Sequence, residues 1–138
     1  MHVPIRVDYG VRALLDLAQH ADEAPVRASD IARRQGIPEP FLARLLLTLS
    51  HGGFVRSHTG PQGGHSLALA PSAISLGMVM AALGGVETIV GCLDHPEQCV
   101  HVPACAQREV WRTVEEAMQR VLDSTTIADL LARTPVAT

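Results

Sequence analysis

The sequence contains no lysine; all eleven of its basic residues are arginine. A phosphate-binding loop needs a Lys followed by Ser or Thr, and the glycine-rich stretch Gly60 to Gly64 supplies neither. No run of about 18 apolar residues occurs, so no membrane-spanning helix is expected. The first ten residues lack the basic-then-apolar layout of a secretory leader. Both absences point to a cytoplasmic protein. No nucleophile–base motif is present, nor a pair of carboxylates on a rigid element, so an enzyme is not expected. Cysteine is scarce and odd in number: three residues, Cys92, Cys99 and Cys105, all in one short stretch. A secreted disulfide framework usually shows an even number spread along the chain. In a reducing compartment such a cluster reads as metal-binding or redox-active.

What is present is a chain of 138 residues, 47% hydrophobic. That suits one compact domain with one appended helix. The net charge of −3 argues against nucleic acid only if it is evenly spread. It is not: residues 1–70 carry seven Arg against six acids, and residues 71–138 four Arg against eight. Between Arg33 and Arg56 there are four Arg and a single acid, Glu39. The basic charge is local.

Apolar residues at helical spacing (Val7, Val11, Leu14, Leu15, Ala18) predict a first helix from Val7 to His20, with Arg6, Arg12, Asp16 and Gln19 largely on its other side. A second, short helix is expected from Ala28 to Gln35, opened by Ser29 and Asp30 and closed by Gly36. Pro38 and Pro40 are tolerated only at a new N-terminus, so a third helix is expected from Phe41 to Ser50, stopped by Gly52 and Gly53. Two short helices across a tight glycine turn form a helix-turn-helix. Phe54 to His58 and His65 to Leu69 then alternate like strands around the tip Thr59 to Gly64, which predicts a β-hairpin. A helix-turn-helix followed by such a hairpin is a winged helix. Its glycine tip allows close approach to a phosphate backbone or entry into a minor groove.

Ser72 or Ser75 is expected to cap a fourth helix through Leu83. A long helix is expected from Ala104 to about Leu122, with a broad apolar stripe that includes Val110, Trp111, Val114 and Val121. Thr126 to Asp129 has the form of a capping box opening a last helix, Ile127 to Ala132. The fold class is therefore mainly α with one small hairpin. The expected division is a winged helix at 1–84, a cysteine loop at 85–105, a dimerisation helix at 104–123, and a terminal helix and tail at 124–138.

The cysteines are spaced Cys-x6-Cys-x5-Cys. Thiolates are soft ligands that suit iron–sulfur clusters and zinc. Structural zinc sites usually use tight Cys-x2-4-Cys pairs, and none is present. Cluster, zinc and free or redox-active thiols all stay open on chemistry alone. A cluster would need a fourth ligand: His95, His101, a solvent species or a residue from elsewhere in the fold.

The chain resembles the Rrf-two family of winged-helix regulators, the IscR, NsrR and RirA type. The resemblance rests on Val7-Asp8-Tyr9-Gly10-Val11-Arg12-Ala13-Leu14, on Ile31-Ala32 with Gly36-Ile37-Pro38, and on Phe41-Leu42. Gly52-Gly53-Phe54-Val55-Arg56-Ser57, the tip Gly60-Pro61-Gln62-Gly63-Gly64, the three cysteines and Thr126-Ile127-Ala128-Asp129-Leu130 complete it. The resemblance implies a homodimer, joined through the long helix, that binds an imperfect palindrome in double-stranded DNA, with recognition helices about 34–36 Å apart. It implies a repressor controlled by an iron–sulfur cluster on Cys92, Cys99 and Cys105. The IscR-type His ligand position, three residues after the last cysteine, is Arg108 here. The NsrR-type ligand, an Asp from the other subunit's first helix, is matched by Asp8. The expectation is a 4Fe–4S cluster, with 2Fe–2S as the alternative, sensing nitric oxide, iron or redox state. The competing expectation is a zinc-stabilised or cluster-free thiol regulator.

The same resemblance places Pro40, Ala43 and Arg44 against bases; an arginine there either reads guanine in bidentate fashion or contacts a phosphate. Ser29, Arg33 and Phe41 join them on the helix-turn-helix. Thr59 stands where many members carry a wing Arg, and His65 where an aromatic is usual. Arg56 or His58 is then the substitute wing contact, beside Thr59 and Gly63.

Overall fold

The computed structural model describes residues 3–84 and 106–135. Within them the chain forms α1 (Ile5–Gln19), α2 (Ala28–Gln35), α3 (Glu39–His51), β1 (Val55–His58), β2 (Gly64–Leu67), α4 (Leu76–Leu83), α5 (Arg108–Ser124) and α6 (Ile127–Arg133). Short 3-10 turns precede α2 and α4, at Ala21–Glu23 and Pro71–Ala73. The winged helix expected from the sequence is present.

Each boundary has a local cause. Pro4, with φ near −58°, opens α1 two residues before the expected start. The helix α2 has the predicted bounds, but Arg27 is its N-cap and no side chain caps it. Ser29 falls just inside, and Asp30 supplies the acid that favours a first turn. Gly36 ends α2 in the left-handed region, φ 66° and ψ 36°, where a Cβ is disfavoured. Pro38 becomes the N-cap of α3, and Pro40 sits in its first turn. There the missing N–H would have had no helical partner, so α3 starts at Glu39 rather than Phe41. Ser75, not Ser72, caps α4 by accepting from the Met78 N–H; Pro71–Ala73 is taken by the 3-10 turn. Thr126 and Asp129 form the expected capping box. The expected start of the long helix at Ala104 lies outside the described residues; Ala106 and Gln107 are turn, and α5 runs two residues past Leu122.

One core serves the whole described chain. It joins Leu14 and Leu17 of α1, Ile31 of α2, Leu42, Leu46 and Leu49 of α3, Val79 of α4 and Ile127 of α6. The terminal helix α6 thus packs into the same core as the winged helix. The backbone of Ile127 donates to Ile74 O and that of Leu76 to Thr125 O, both at 2.9 Å. These bonds stitch the start of α6 to the start of α4. The opposite holds for α5: none of its residues is buried. Val110, Val114 and Val121 are exposed.

Asp16 departs most from expectation. Its place was on the polar side of α1, yet it is completely buried. Arg34 of α2 binds it in bidentate fashion, Nη2 to Oδ1 at 2.7 Å and Nε to Oδ2 at 3.0 Å. Gln35 Nε2 adds a third bond at 3.0 Å. The Asp16 carboxylate, first by hydrogen bonding and then by charge, raises the Arg34 pKa above its ordinary value. Breaking one side of a buried pair leaves the other charge without compensation. Asp16→Asn is expected to lower unfolding stability by about 3 kcal/mol, the low end for buried pairs, because Arg34 keeps a path to water. A urea titration at neutral pH measures this; a loss under about 1 kcal/mol would show the pair to be dispensable.

Candidate nucleic-acid interface and cysteine segment

The helices α2 and α3 meet across Gly36, and the apolar side of α3 (Leu42, Leu45, Leu46, Leu49) is buried. The opposite side of α3 is left to solvent. Pro40, Ala43 and Arg44 are all exposed there. Arg44 and Arg56 make no ion pair among the described residues. The stem of Arg44 lines a recess of about 250 Å³ with Arg6, Phe41, Leu45, Thr48, Ala82 and Leu83. Ser29 and Arg33 are exposed on α2, and Arg33 Nη2 lies 3.2 Å from Asp30 Oδ1. Phe41 does not project outward. Its half-buried ring stands edge-on to Tyr9 of α1, centroids 5.4 Å apart, and anchors the start of α3. Such a pair is worth about 1 kcal/mol beyond its burial.

The hairpin pairs Val55 with Leu67, Arg56 with Ser66, Ser57 with His65 and His58 with Gly64. Arg56, His58 and Thr59 are exposed. His58 Nε2 is 2.8 Å from the Ser66 hydroxyl, which holds the ring along the strand. The hairpin is not an isolated ribbon. Val26 N–H donates to His65 O at 2.8 Å, and His65 N–H donates to Val26 O at 2.7 Å. Arg27 Nη2 adds a bond to Pro61 O at 3.2 Å, inside the tip. The segment entering α2 therefore meets β2 in a single antiparallel bridge. Gly63 is needed here: a Cβ on it would lie 2.3 Å from His58 O, a backbone atom with no room to yield. The sequence reading missed Arg27 and Val26, because nothing in a linear pattern pairs residue 26 with residue 65.

The cysteine segment, with Cys92, Cys99 and Cys105, lies outside the described residues. Among the described residues no group of three His, Cys, Asp or Glu side chains is placed to hold a metal. Asp8, the expected fourth ligand, sits in the first turn of α1 with its side chain about half exposed. Its oxygens accept from Arg12 of the same chain, Nη2 at 3.0 Å and Nε at 3.1 Å. Arg12 also donates from Nη1 to Gln35 O at 3.4 Å, and its guanidinium lies 5.6 Å from the Tyr9 ring centroid.

A recognition helix locked beside a glycine-tipped hairpin defines the winged-helix class. Residues 4–133 match the Rrf2 family model, described as an iron-dependent transcriptional regulator. The chain belongs to the Rrf2 family of transcriptional regulators. It is similar to the protein rrf2 of Nitratidesulfovibrio vulgaris, 38% identical over 95% of this chain and 87% of that one. Among solved structures it is similar to CymR (YrzC), the global cysteine regulator of B. subtilis. That match has a TM-score of 0.84 and 30% identity, covering 98% of this chain and 99% of that one. It is also similar to IscR of T. potens, with a TM-score of 0.77 and 36% identity over 96% and 88% of the two chains. Transcriptional regulators are not enzymes, as the absence of catalytic motifs led us to expect. No described helix is long and apolar enough to cross a membrane.

Burial, and secondly the charge of His58, lower the pKa of His65 below its ordinary 6.5. The folded hairpin thus binds fewer protons than the unfolded chain just below that pH, so stability rises with pH there and falls on acidification. Its contribution is intact above pH 6.5 and lost progressively as pH drops through the lowered value. Amide exchange at Val26 and His65 is expected to quicken on acidification, after correction for intrinsic rates, and His65→Gln is expected to blunt that change. Equal acceleration in both proteins would contradict this.

Proposed function

We propose that the protein is a dimeric repressor that binds a palindromic operator in double-stranded DNA and works in the cytoplasm, where that DNA is. One observation carries the reading: the outward side of α3 bears an Arg44 that makes no ion pair among the described residues, and the hairpin beside it is hydrogen-bonded to the entry of α2. This is the arrangement by which a helix fills a major groove while a wing meets the flanking backbone or minor groove. The uncovered valines of α5 supply an apolar face for a second copy. In this reading Pro40, Ala43 and Arg44 face bases. Ser29 and Arg33 approach phosphates, and Arg56, His58, Thr59 and Gly63 meet the flanking strand.

The proposed signal is received at the cysteine segment. Cys92, Cys99 and Cys105 would hold an iron–sulfur cluster, and the other subunit's Asp8 would complete the set. Three soft thiolates and one hard carboxylate fit a 4Fe–4S cluster with one weakly held iron, and 2Fe–2S is the alternative. The iron-dependent description of the family and the likeness to an IscR support this. When bound, such a cluster supplies an iron site that nitric oxide, oxygen or iron scarcity attacks first. The residues do the rest. An Asp8 carboxylate engaged across the dimer leaves Arg12, and Arg12 touches Gln35 O at the helix-turn-helix turn. Tyr9 on Phe41 and Asp16 on Arg34 carry a shift of α1 into α2 and α3. A coupling of ~1–3 kcal/mol changes DNA affinity roughly 5- to 150-fold. The likeness to a cysteine regulator favours a second reading, in which the three thiols act without a cluster or hold zinc.

Two measurements test these readings. Anaerobically purified protein is expected to contain iron and acid-labile sulfide, and Cys99→Ser is expected to lose both along with the effector response of DNA binding. A colourless protein with stoichiometric zinc, or with no metal, would establish the second reading. On the DNA side, Arg44→Ala is expected to cost ~1–3 kcal/mol and to relax sequence preference. Uniform weakening on every duplex would make Arg44 a phosphate contact instead.

A further inference from the structure

The outward side of α3 carries a large apolar residue that the core does not use. Leu47 is 57% exposed and belongs neither to the core nor to the half-buried residues packed on it. At about 100° per residue it lies about 30° from the direction opposite the buried stripe of α3. It falls on the same side as Pro40, Ala43 and Arg44. The other exposed large hydrophobes among the described residues sit on or beside α1, α4, α5 and the far end of the hairpin. Leu47 is therefore not part of the apolar face of α5. Exposed single leucines are ordinary on a protein surface, but this one stands where the proposed function puts DNA.

We infer that Leu47 is a specificity residue that reads the C5-methyl group of a thymine in the major groove. The inference rests on the DNA-binding reading of α3. The thymine methyl is the apolar feature among the base edges of the major groove. Leu47 has no hydrogen-bonding atom, so the same approach to an amino group or a carbonyl oxygen would strip water from it without replacement. Leu47 thus favours thymine by contact and disfavours the other bases by desolvation. Ala43, one turn earlier on the same side, continues the apolar strip. Arg44 and Leu47 are three residues apart, about 4.5 Å along the helix axis, and stacked bases are about 3.4 Å apart. Arg44 on a guanine therefore places Leu47 on a thymine one or two steps away in each half-site.

The test uses the full-length protein and duplexes enriched from a random pool by that protein. In the best-bound duplex each thymidine is replaced in turn by deoxyuridine, which deletes only the methyl group. One replacement per half-site is expected to weaken binding roughly fivefold, the worth of one buried methyl. Leu47→Ala is expected to weaken binding to the thymidine duplex by a similar factor and to lose nothing further on the deoxyuridine duplex. Leu47→Met, which keeps an apolar side chain of similar size, is expected to retain the discrimination. If no deoxyuridine duplex binds more weakly, or if the same replacement weakens Leu47→Ala by the same factor, another group or none reads the methyl and the inference is overturned. A pool that yields no enriched sequence would sink the DNA-binding reading itself, and this assignment with it.

Discussion

The structure turns on a single buried carboxylate. Asp16 lies wholly inside the protein, and three hydrogen bonds from α2 hold it. An ionised group in that position is tolerable only because Arg34 and Gln35 meet both of its oxygens. Those bonds are directional in a way that leucine packing is not. Leu14, Leu17, Ile31 and Leu46 would fill the same space under a small rotation of α2. The bidentate pair allows only one registration of α2 on α1. Since α2 is joined to α3 by the tight turn at Gly36, the pose of the recognition helix follows from it.

Around that fixed joint the remaining contacts take their places. Tyr9 meets Phe41 at the start of α3, and Arg12 reaches the carbonyl of Gln35 at the end of α2. Arg6 donates to Leu83 O where α4 ends. The N-terminal helix thus touches both sides of the turn between α2 and α3 and the end of α4, from which the chain leaves for the cysteine segment. A helix so placed is suited to pass a disturbance from one region to the other. That gives a physical basis for the proposed control, whichever chemistry occurs at the thiols.

Much of this was legible in the amino-acid order. Gly36, Pro38 and Pro40 mark the turn and the start of α3, because each restricts the backbone by itself. The capping box at Thr126 and Asp129 is equally local. The hairpin followed from alternation and a run of glycines. What stayed hidden depends on residues far apart in the chain. Asp16 looked like an ordinary polar position on an amphipathic helix until Arg34 was seen beside it. That Ile127 closes the core begun by Leu14 is not readable from the order of residues, since the long α5, with no fully buried residue, lies between them. Phe41 was assigned to the interface because it opens α3, whereas its ring turns inward to Tyr9. The cysteine spacing remains the strongest sequence signal for a sensor.

The backbone bonds between Val26 and His65, with Arg27 on the tip, have an effect beyond holding the hairpin in place. They tie the wing to the entry of α2 and so set where it stands beside the helix-turn-helix. Within one half-site, the offset between what the helix touches and what the wing touches is then a property of the protein. Natural binding sites for this regulator should vary little in that interval. In the proposed dimer, a change in the spacer between half-sites would then test the pairing of the two copies and not the wing.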